Sequence, residues 1–325
     1  MENRNFKRLL ANEHSIKEAS EMIRSGGLVA FPTETVYGLG ANGYDSTAVS
    51  KIFEVKKRPT FNPLILHIAE MSFLEQIVDT QFKNLQILCE KFWPGPLTIV
   101  LPKKDTVPAI VSSGLDTVAV RMPDNKIALQ LIKESGVPIA APSANMFGRL
   151  SPTNADHVEE QLKDKIDLLI DGGNCEVGVE STIIQINKRS WSLLRPGGLE
   201  TEELIEVLGK PKKGESFDNP IAPGMLPFHY SPKIPLKFFY EMDRETLREL
   251  RIGVLLFKDR KLIFEPEMKR VLSEKGDFVE AASNLFRYLH EIEESGVDLI
   301  VAEKVPERGL GVAIMDRLNK ASRNI

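Results

Sequence analysis

The amino-acid sequence predicts an α/β protein in two parts. Short β-rich runs alternate with helical patterns up to Leu208, the pattern of one twisted, open, mixed sheet covered by helices. Six prolines between Pro211 and Pro235 then interrupt the alternation, and a shorter series of the same kind follows. The length agrees: 325 residues at about 150 per domain gives roughly two domains. The expected division is residues 1–208, a proline-rich connector at 209–235, and a smaller α/β domain at 236–325, Rossmann-like in outline.

In chain order, Ile16–Arg24 reads as a helix and Gly27–Phe31 as a buried strand. A helix at Thr47–Val55 follows, with Asp45 or Ser46 as its cap. Pro63–Ile68 is a strand, Phe82–Phe92 a helix, and Leu97–Leu101 and Thr117–Arg121 are strands bounded by proline, glycine or aspartate. Lys126–Glu134, Pro138–Ala141, Asn154–Leu162 and Leu168–Ile170 continue the alternation, and Thr182–Ile186 adds a further strand. Proline lacks the amide donor that helices and central strands need, so the 211–235 stretch is a loop or extended connector. Ile221, Met225, Leu226, Phe228 and Tyr230 make it too apolar for a plain solvated linker, and it is expected to lie against something. Beyond it, Ile252–Phe257 and Val297–Ala302 read as strands, and Phe278–Ser295 and Val312–Ser322 as helices.

Composition narrows the function classes. Hydrophobic residues at 42% exclude a disordered chain. No apolar run approaches the roughly 20 residues that a bilayer-spanning helix needs. The start, MENRNFKRLL, is charged where a signal peptide is apolar, and the two cysteines, Cys89 and Cys175, form no CxxC spacing. A cytoplasmic setting without membrane attachment is expected. Lysine and arginine total 42 against 46 acidic residues, which excludes a globally basic nucleic-acid binder and leaves room for a local basic patch.

Gly38-x-Gly40-x-x-Gly43 spells a dinucleotide fingerprint, but Tyr44, Asp45 and a helix cap intervene, and the next strand carries His67 where an acid is required. No P-loop, HExxH, EF-hand loop or GxSxG elbow occurs. Polar clusters remain at predicted strand ends, where open α/β sheets place ligands. They are Thr33-Glu34-Thr35 with Tyr37; Lys56-Lys57-Arg58 with Asn62-Pro63; Arg121; Pro142-Ser143-Ala144-Asn145 with Ser151; Asp171-Gly172-Gly173 with Glu180-Ser181-Thr182; and Arg195-Pro196-Gly197. Each has a turn reading of its own. Together they point to an anionic ligand, because the planar arginine fork donates paired hydrogen bonds to carboxylate and phosphate.

The run PTETVYGLGAN (Pro32 to Asn42), Lys56-x-Arg58, Asn62-Pro63-Leu64, Pro142-Ser143-Ala144-Asn145, Glu180-Ser181-Thr182 and Arg195-Pro196-Gly197 resemble the YrdC-type threonylcarbamoyl-adenylate synthases. Ala222-Pro223-Gly224-Met225, His229-Tyr230-Ser231-Pro232 and Gly309 to Met315 resemble the longer, two-domain form, so the resemblance covers the whole chain. Asp316 departs from it, standing where asparagine is expected before Arg317. The resemblance implies a YrdC-like fold with a large basic concavity. It also implies a reaction of L-threonine, bicarbonate or carbon dioxide, and ATP to give threonylcarbamoyl-AMP and pyrophosphate, with Mg2+ accompanying ATP. The product goes to a separate transferase that modifies the adenosine next to the anticodon of tRNA.

Residue by residue, the resemblance implies threonine ligands at Thr35, His67, Arg121, Ala141 and Ser181. ATP contacts fall at Arg58, Asn62, Thr117, Ser143, Ser151, Arg195 and Tyr230. Lys56, Arg58, Ser143 and Asn145 form the catalytic signature, and no protein-held metal is implied. Two unit charges about 4 Å apart repel by ~4 kcal/mol at an effective dielectric near 20. Lys56, Arg58, Arg121 and Arg195, converging with magnesium on one hollow, are expected to offset the repulsion between nucleotide and amino acid. His67 is expected to bind substrate rather than act as a base. The connector reads either as a lid over the nucleotide or as a strap between domains. A non-catalytic RNA-binding module, or a weak RNA contact beside the chemistry, is the alternative use of a basic concavity.

Overall fold

The structure, a computed structural model, describes residues 6–82, 84–188, 190–212, 220–226, 229–243 and 249–323. Phe228 and Pro227 of the connector lie outside the described residues. The first part runs β1 (Lys7–Leu10), α1 (Glu13–Arg24), β2 (Val29–Phe31), β3 (Gly38–Asn42), α2 (Ser46–Lys56), β4 (Ile65–His67), α3 (Met71–Ile77) and α4 (Leu85–Phe92). It continues with β5 (Leu97–Pro102), β6 (Thr117–Arg121), α5 (Lys126–Ser135), β7 (Ile139–Ala140), α6 (Ala155–Leu162), β8 (Leu168–Asp171), β9 (Thr182–Ile186), β10 (Trp191–Arg195) and α7 (Thr201–Leu208). The second part holds β11 (Leu236–Phe238), β12 (Ile252–Leu256), β13 (Met268–Val271), α8 (Phe278–Glu294), β14 (Leu299–Ala302) and α9 (Leu310–Ala321).

Short polar side chains set where the helices begin. Asn12 and Ser15 form a reciprocal capping box on α1, and Asp45, Asn125, Asn154 and Asp277 each accept amide hydrogens at the starts of α2, α5, α6 and α8. Among the described residues the strands form a ten-stranded mixed sheet in the order β1-β8-β2-β3-β7-β4-β6-β5-β9-β10. Both faces are covered. Val29 and Phe31 pack with Ile16, Ile23 and Leu131 of α1 and α5, whereas Leu28 and Ala30 pack with Val49 and Ile52 of α2. That explains why β2 is apolar throughout rather than alternating.

Seven described elements, β1, β3, α3, β10, α7, β11 and β13, were not expected from the sequence, and three of them are instructive. β1 has no apolar alternation because it is an edge strand, paired only with β8 and exposed along Lys7 and Arg8. The first two glycines of the false fingerprint, Gly38 and Gly40, lie in β3, and Gly43 follows its end. A Cβ on Gly40 would sit 2.7 Å from Ile139 Cγ2 and 2.8 Å from the Phe31 ring, so close packing, and not phosphate approach, requires glycine there. β10 returns antiparallel to β9 as the other edge of the sheet.

The smaller sheet, β11-β14-β12-β13, is parallel throughout, and α8 and α9 pack on it. Its core is not self-contained. Val36, Leu150, Val179 and Tyr230 from the preceding part are members of the same buried cluster as Leu285, Phe286 and Ile314. Gly178 marks a close approach: with φ +73, its position would put a Cβ 2.5 Å from the Ser283 backbone in α8. Gly178→Ala is therefore expected to cost about 2 kcal/mol or more, from the left-handed backbone and the overpacked junction together. Chemical denaturation measures this, and an unchanged midpoint would contradict it.

Candidate active site

A cavity opens at the middle of the large sheet, where the β2–β3 turn, β4, the end of β6, the segment after β7, and the ends flanking β9 and β10 converge. Its lining includes Thr35, Arg58, His67, Arg121, Ala141, Ser143, Ser181, Arg195 and Tyr230. All five residues expected to touch threonine are present, and four of the seven expected to touch ATP. The free space is about 50 Å³, room for a few waters.

The cavity's cations are held by different partners. Arg121 ends β6 and forms an ion pair with Glu34 at 2.6 Å, while its Nη1 donates to Thr35 Oγ1 at 2.9 Å and its Nε to the Gly95 carbonyl at 3.2 Å. Arg58 donates instead to neutral oxygens: the Asn62 carbonyl at 3.0 Å, Asn62 Oδ1 at 2.7 Å and the Pro63 carbonyl at 2.8 Å. Arg195 donates to the Ser181 carbonyl at 2.8 Å and the Pro223 carbonyl at 3.3 Å. Burial, and then the charge of Arg195, pull the Arg58 pKa down to about 9, and burial lowers that of Arg195. Two like charges thus share a buried pocket with carbonyl oxygens as partners, an arrangement that favours an arriving anion.

Five expected site residues do not line the cavity. Lys56 is 1% exposed and turns its ammonium toward the Ser143 carbonyl at 2.6 Å and the Asn145 carbonyl, so it fastens the 143–145 loop. Asn145 donates to the Met146 and Arg149 carbonyls, at 2.9 and 2.8 Å, from within that loop. Asn62 orients Arg58, and Ser151 donates to Glu180 Oε1 at 2.5 Å. Thr117 stands at the start of β6, the end of that strand opposite Arg121. The converging cations are therefore the three arginines, with Lys56 behind the wall: a basic residue at a helix end reaches the nearest carbonyls, and here these belong to the loop.

Ser181 hydrogen-bonds Thr98 at 2.7 Å, and Ala141 is fixed by its amide on the Ile65 carbonyl at 2.9 Å. Burial, then Arg121, pull the His67 pKa down to about 3, so its imidazole is neutral, and Nδ1 has no hydrogen-bond partner among the described residues. The connector roofs the cavity with Pro223, Gly224, His229 and Tyr230. Ala222 packs on Ile65, Val100, Ala119 and Ile183, the apolar floor that the connector's composition calls for. Tyr230 has a left-handed backbone, φ 64, uncommon for a bulky residue, and its hydroxyl has no partner among the described residues.

Sequence reasoning assigned no role to Glu34, Glu180, His229 or Arg317. Glu180 lines the cavity but is neutralised by Arg317 at 2.8 Å. Burial would raise its carboxyl, yet Arg317 and Arg195 outweigh this and hold it at about 2. One signal for Arg317 was available: it lies on the apolar stripe of α9 with Leu310, Ile314 and Ala321. The lining thus offers no uncommitted carboxylate for a resident cation. Elsewhere Glu160, His290 and Glu294 bring donor atoms within 4.8 Å of one another, but Lys233 already pairs with Glu160.

The Sua5/YciO/YrdC family model, whose description reads "Telomere recombination", matches residues 21–197. The chain belongs to this family. A second model, "Threonylcarbamoyl-AMP synthase, C-terminal domain", matches residues 199–323. The threonylcarbamoyl-AMP synthase of Pyrococcus abyssi is 47% identical, the alignment covering 95% of this chain and 94% of that protein. The enzyme of the same name from Bacillus subtilis is 42% identical, with 97% and 94% covered. The crystal structure of P. abyssi Sua5 complexed with L-threonine superposes with a TM-score of 0.88 at 44% identity, over 98% of this chain and 97% of that one. Escherichia coli YciO covers 60% of this chain and 96% of its own, with a TM-score of 0.53 at 24% identity, and shares the fold of the first part. The family resemblance and its fold thus hold over both parts. No helix among the described residues is long and apolar enough to cross a membrane.

Four buried histidines, His67, His157, His229 and His290, are held neutral chiefly by burial, at pKa values of about 3, 4, 3 and 3. An unfolded histidine titrates near 6.5, so below that pH the unfolded chain binds protons that the folded chain refuses. Their contribution is complete above about pH 6.5 and is lost as pH falls toward 4 and 3. Urea unfolding between pH 7.5 and 5 should show stability falling with a slope that approaches about four protons. A flat profile over that range would contradict the burial of these rings.

Proposed function

We propose that the chain is a threonylcarbamoyl-AMP synthase, converting L-threonine, bicarbonate or carbon dioxide, and ATP to L-threonylcarbamoyl-AMP and pyrophosphate. The observation that carries this reading is the cavity itself. Arg58 and Arg195, both buried and partnered by carbonyl oxygens, face it together with the polar groups Thr35, His67 and Ser181 around Arg121. In the family relative from P. abyssi, Sua5 forms a complex with L-threonine.

In this reading Arg121, oriented by Glu34, receives the threonine carboxylate, with Thr35, His67, Ser181 and the Ala141 backbone around the rest of the amino acid. The threonine ammonium gives up a proton to water or bicarbonate, its neutral nitrogen bonds to the carbon of carbon dioxide, and the adduct loses a second proton to solvent, leaving the carbamate. A carbamate oxygen then bonds to the α-phosphorus as the bond to pyrophosphate breaks. No covalent enzyme group is needed if the two anions are held in line. Arg58, Arg195 and Ser143 bear the phosphate charge. With its pKa near 3, His67 is too weak a base to keep the amine proton, and its role is to orient substrate. Magnesium is part of the nucleotide substrate, carried on phosphate oxygens and water. The product is handed to a separate transferase acting on tRNA.

The three arginines are 6%, 3% and 4% exposed, too enclosed to grip an RNA backbone, which disfavours the binding-module alternative. Pyrophosphate release should require threonine, bicarbonate and ATP together, and release without threonine would refute the assignment. Arg58→Met should lower turnover on the order of 10²–10³-fold, by analogy with loss of an oxyanion donor.

The roof is the lid of this site. In this reading Pro223, Gly224, His229 and Tyr230 lift to admit ATP and close again to keep water from the mixed anhydride. Pro223→Gly, which loosens the roof while leaving Ala222 and Tyr230 in their buried clusters, should give a folded protein that hydrolyses ATP yet accumulates less adenylate. Normal accumulation would remove the lid.

A further inference from the structure

Arg317 belongs to α9 of the second part, yet its contacts are with the catalytic cavity. It is 0% exposed. Its Nε donates to Glu180 Oε2 at 2.8 Å and its Nη1 to the Pro196 carbonyl at 2.8 Å, and its guanidinium lies 5.1 Å from the centroid of the Tyr230 ring. Asp316 accepts from Arg317 at 2.7 Å and from Lys320 at 2.9 Å, and Lys320 in turn donates to the Gly224 carbonyl at 2.7 Å. One face of one helix therefore touches the wall at Glu180, the loop after β10 at Pro196, and the roof at Gly224 and Tyr230.

We infer that Arg317 is a positioning residue for the reaction, and that α9, through Arg317 and Lys320, sets the distance between wall and roof. The inference deepens the synthase reading and rests on it for its kinetic part. Glu180 immediately precedes Ser181 and also holds Ser151, so its carboxylate fixes two segments at once. Gly197 leaves no slack, since a Cβ there would lie 2.3 Å from the Glu180 carbonyl oxygen. A shift of Glu180 is thus passed to Ser181 and to Arg195, whose guanidinium is bound to the Ser181 carbonyl. A buried ion pair is weak evidence for stability as such. What an arginine supplies here, and lysine does not, is a planar fork that meets carboxylate, carbonyl and ring together.

The test uses the full chain with Arg317→Lys and Lys320→Met. In folded Arg317→Lys, kcat/KM for pyrophosphate release should fall about 100-fold, the cost of a misplacement near 1 Å, with KM for threonine and ATP raised about tenfold. Lys320→Met, whose side chain is 14% exposed, should raise KM for ATP alone by roughly threefold, less than a full buried contact, because one roof hydrogen bond is lost. Amide hydrogen exchange, read without substrates, should rise about tenfold at 180–182 and 222–226 in Arg317→Lys while β5 and β6 stay protected. Unchanged KM values with exchange raised uniformly, or unchanged exchange at those segments, would overturn the inference. Absence of pyrophosphate release by the unmodified protein would instead defeat the synthase reading, and the exchange pattern would still decide whether α9 holds the wall and roof.

Discussion

Burying Arg58 and Arg195 beside one pocket is the constraint around which the molecule is organised. Each guanidinium is separated from water and has a neighbouring cation, Arg195 for Arg58 and Arg317 for Arg195, and both factors oppose its charge. The compensation is a rim of carbonyl oxygens from Asn62, Pro63, Ser181 and Pro223. Such oxygens come from irregular backbone, which explains why so many prolines and short polar residues gather where strands end. The loops are shaped to turn their acceptors inward.

Two ion pairs flank this cationic centre and behave differently from it. Glu34 with Arg121 and Glu180 with Arg317 are charge-balanced, so they orient side chains without adding net field. The pocket's excess positive charge is left where a polyanion fits, and the balanced Arg121 lies on the side of His67 and Thr35. Charge is therefore graded across a few residues, a division suited to two substrates of unequal charge.

Much of this was legible in the sequence. Strands β6 and β9 match their expected bounds, and the arginines, His67, Ser181 and Tyr230 meet in one cavity. These were readable because their motifs lie next to buried strands, whose ends must point somewhere common. What the motifs do not encode is the side of a loop that a side chain takes. Lys56, Asn62, Asn145 and Ser151 belong to the same signatures but turn away from the cavity, Lys56 and Asn145 onto loop carbonyls and Asn62 and Ser151 onto the side chains of Arg58 and Glu180. The Glu180–Arg317 pair joins positions 137 apart, and only tertiary structure supplies that adjacency. β3 was obscured by glycines that serve packing under Phe31, where a local motif suggested a phosphate loop.

The mixed membership of the second core has a bearing on how such chains can be shortened. Val36, Leu150 and Val179 are covered by the C-terminal helices. Excising those helices at the family-model boundary would bare a greasy patch beside the active pocket, so a one-sheet fragment of this chain would need polar replacements there to remain dispersed. Shorter relatives of the kind represented by YciO cannot be imitated by truncation alone.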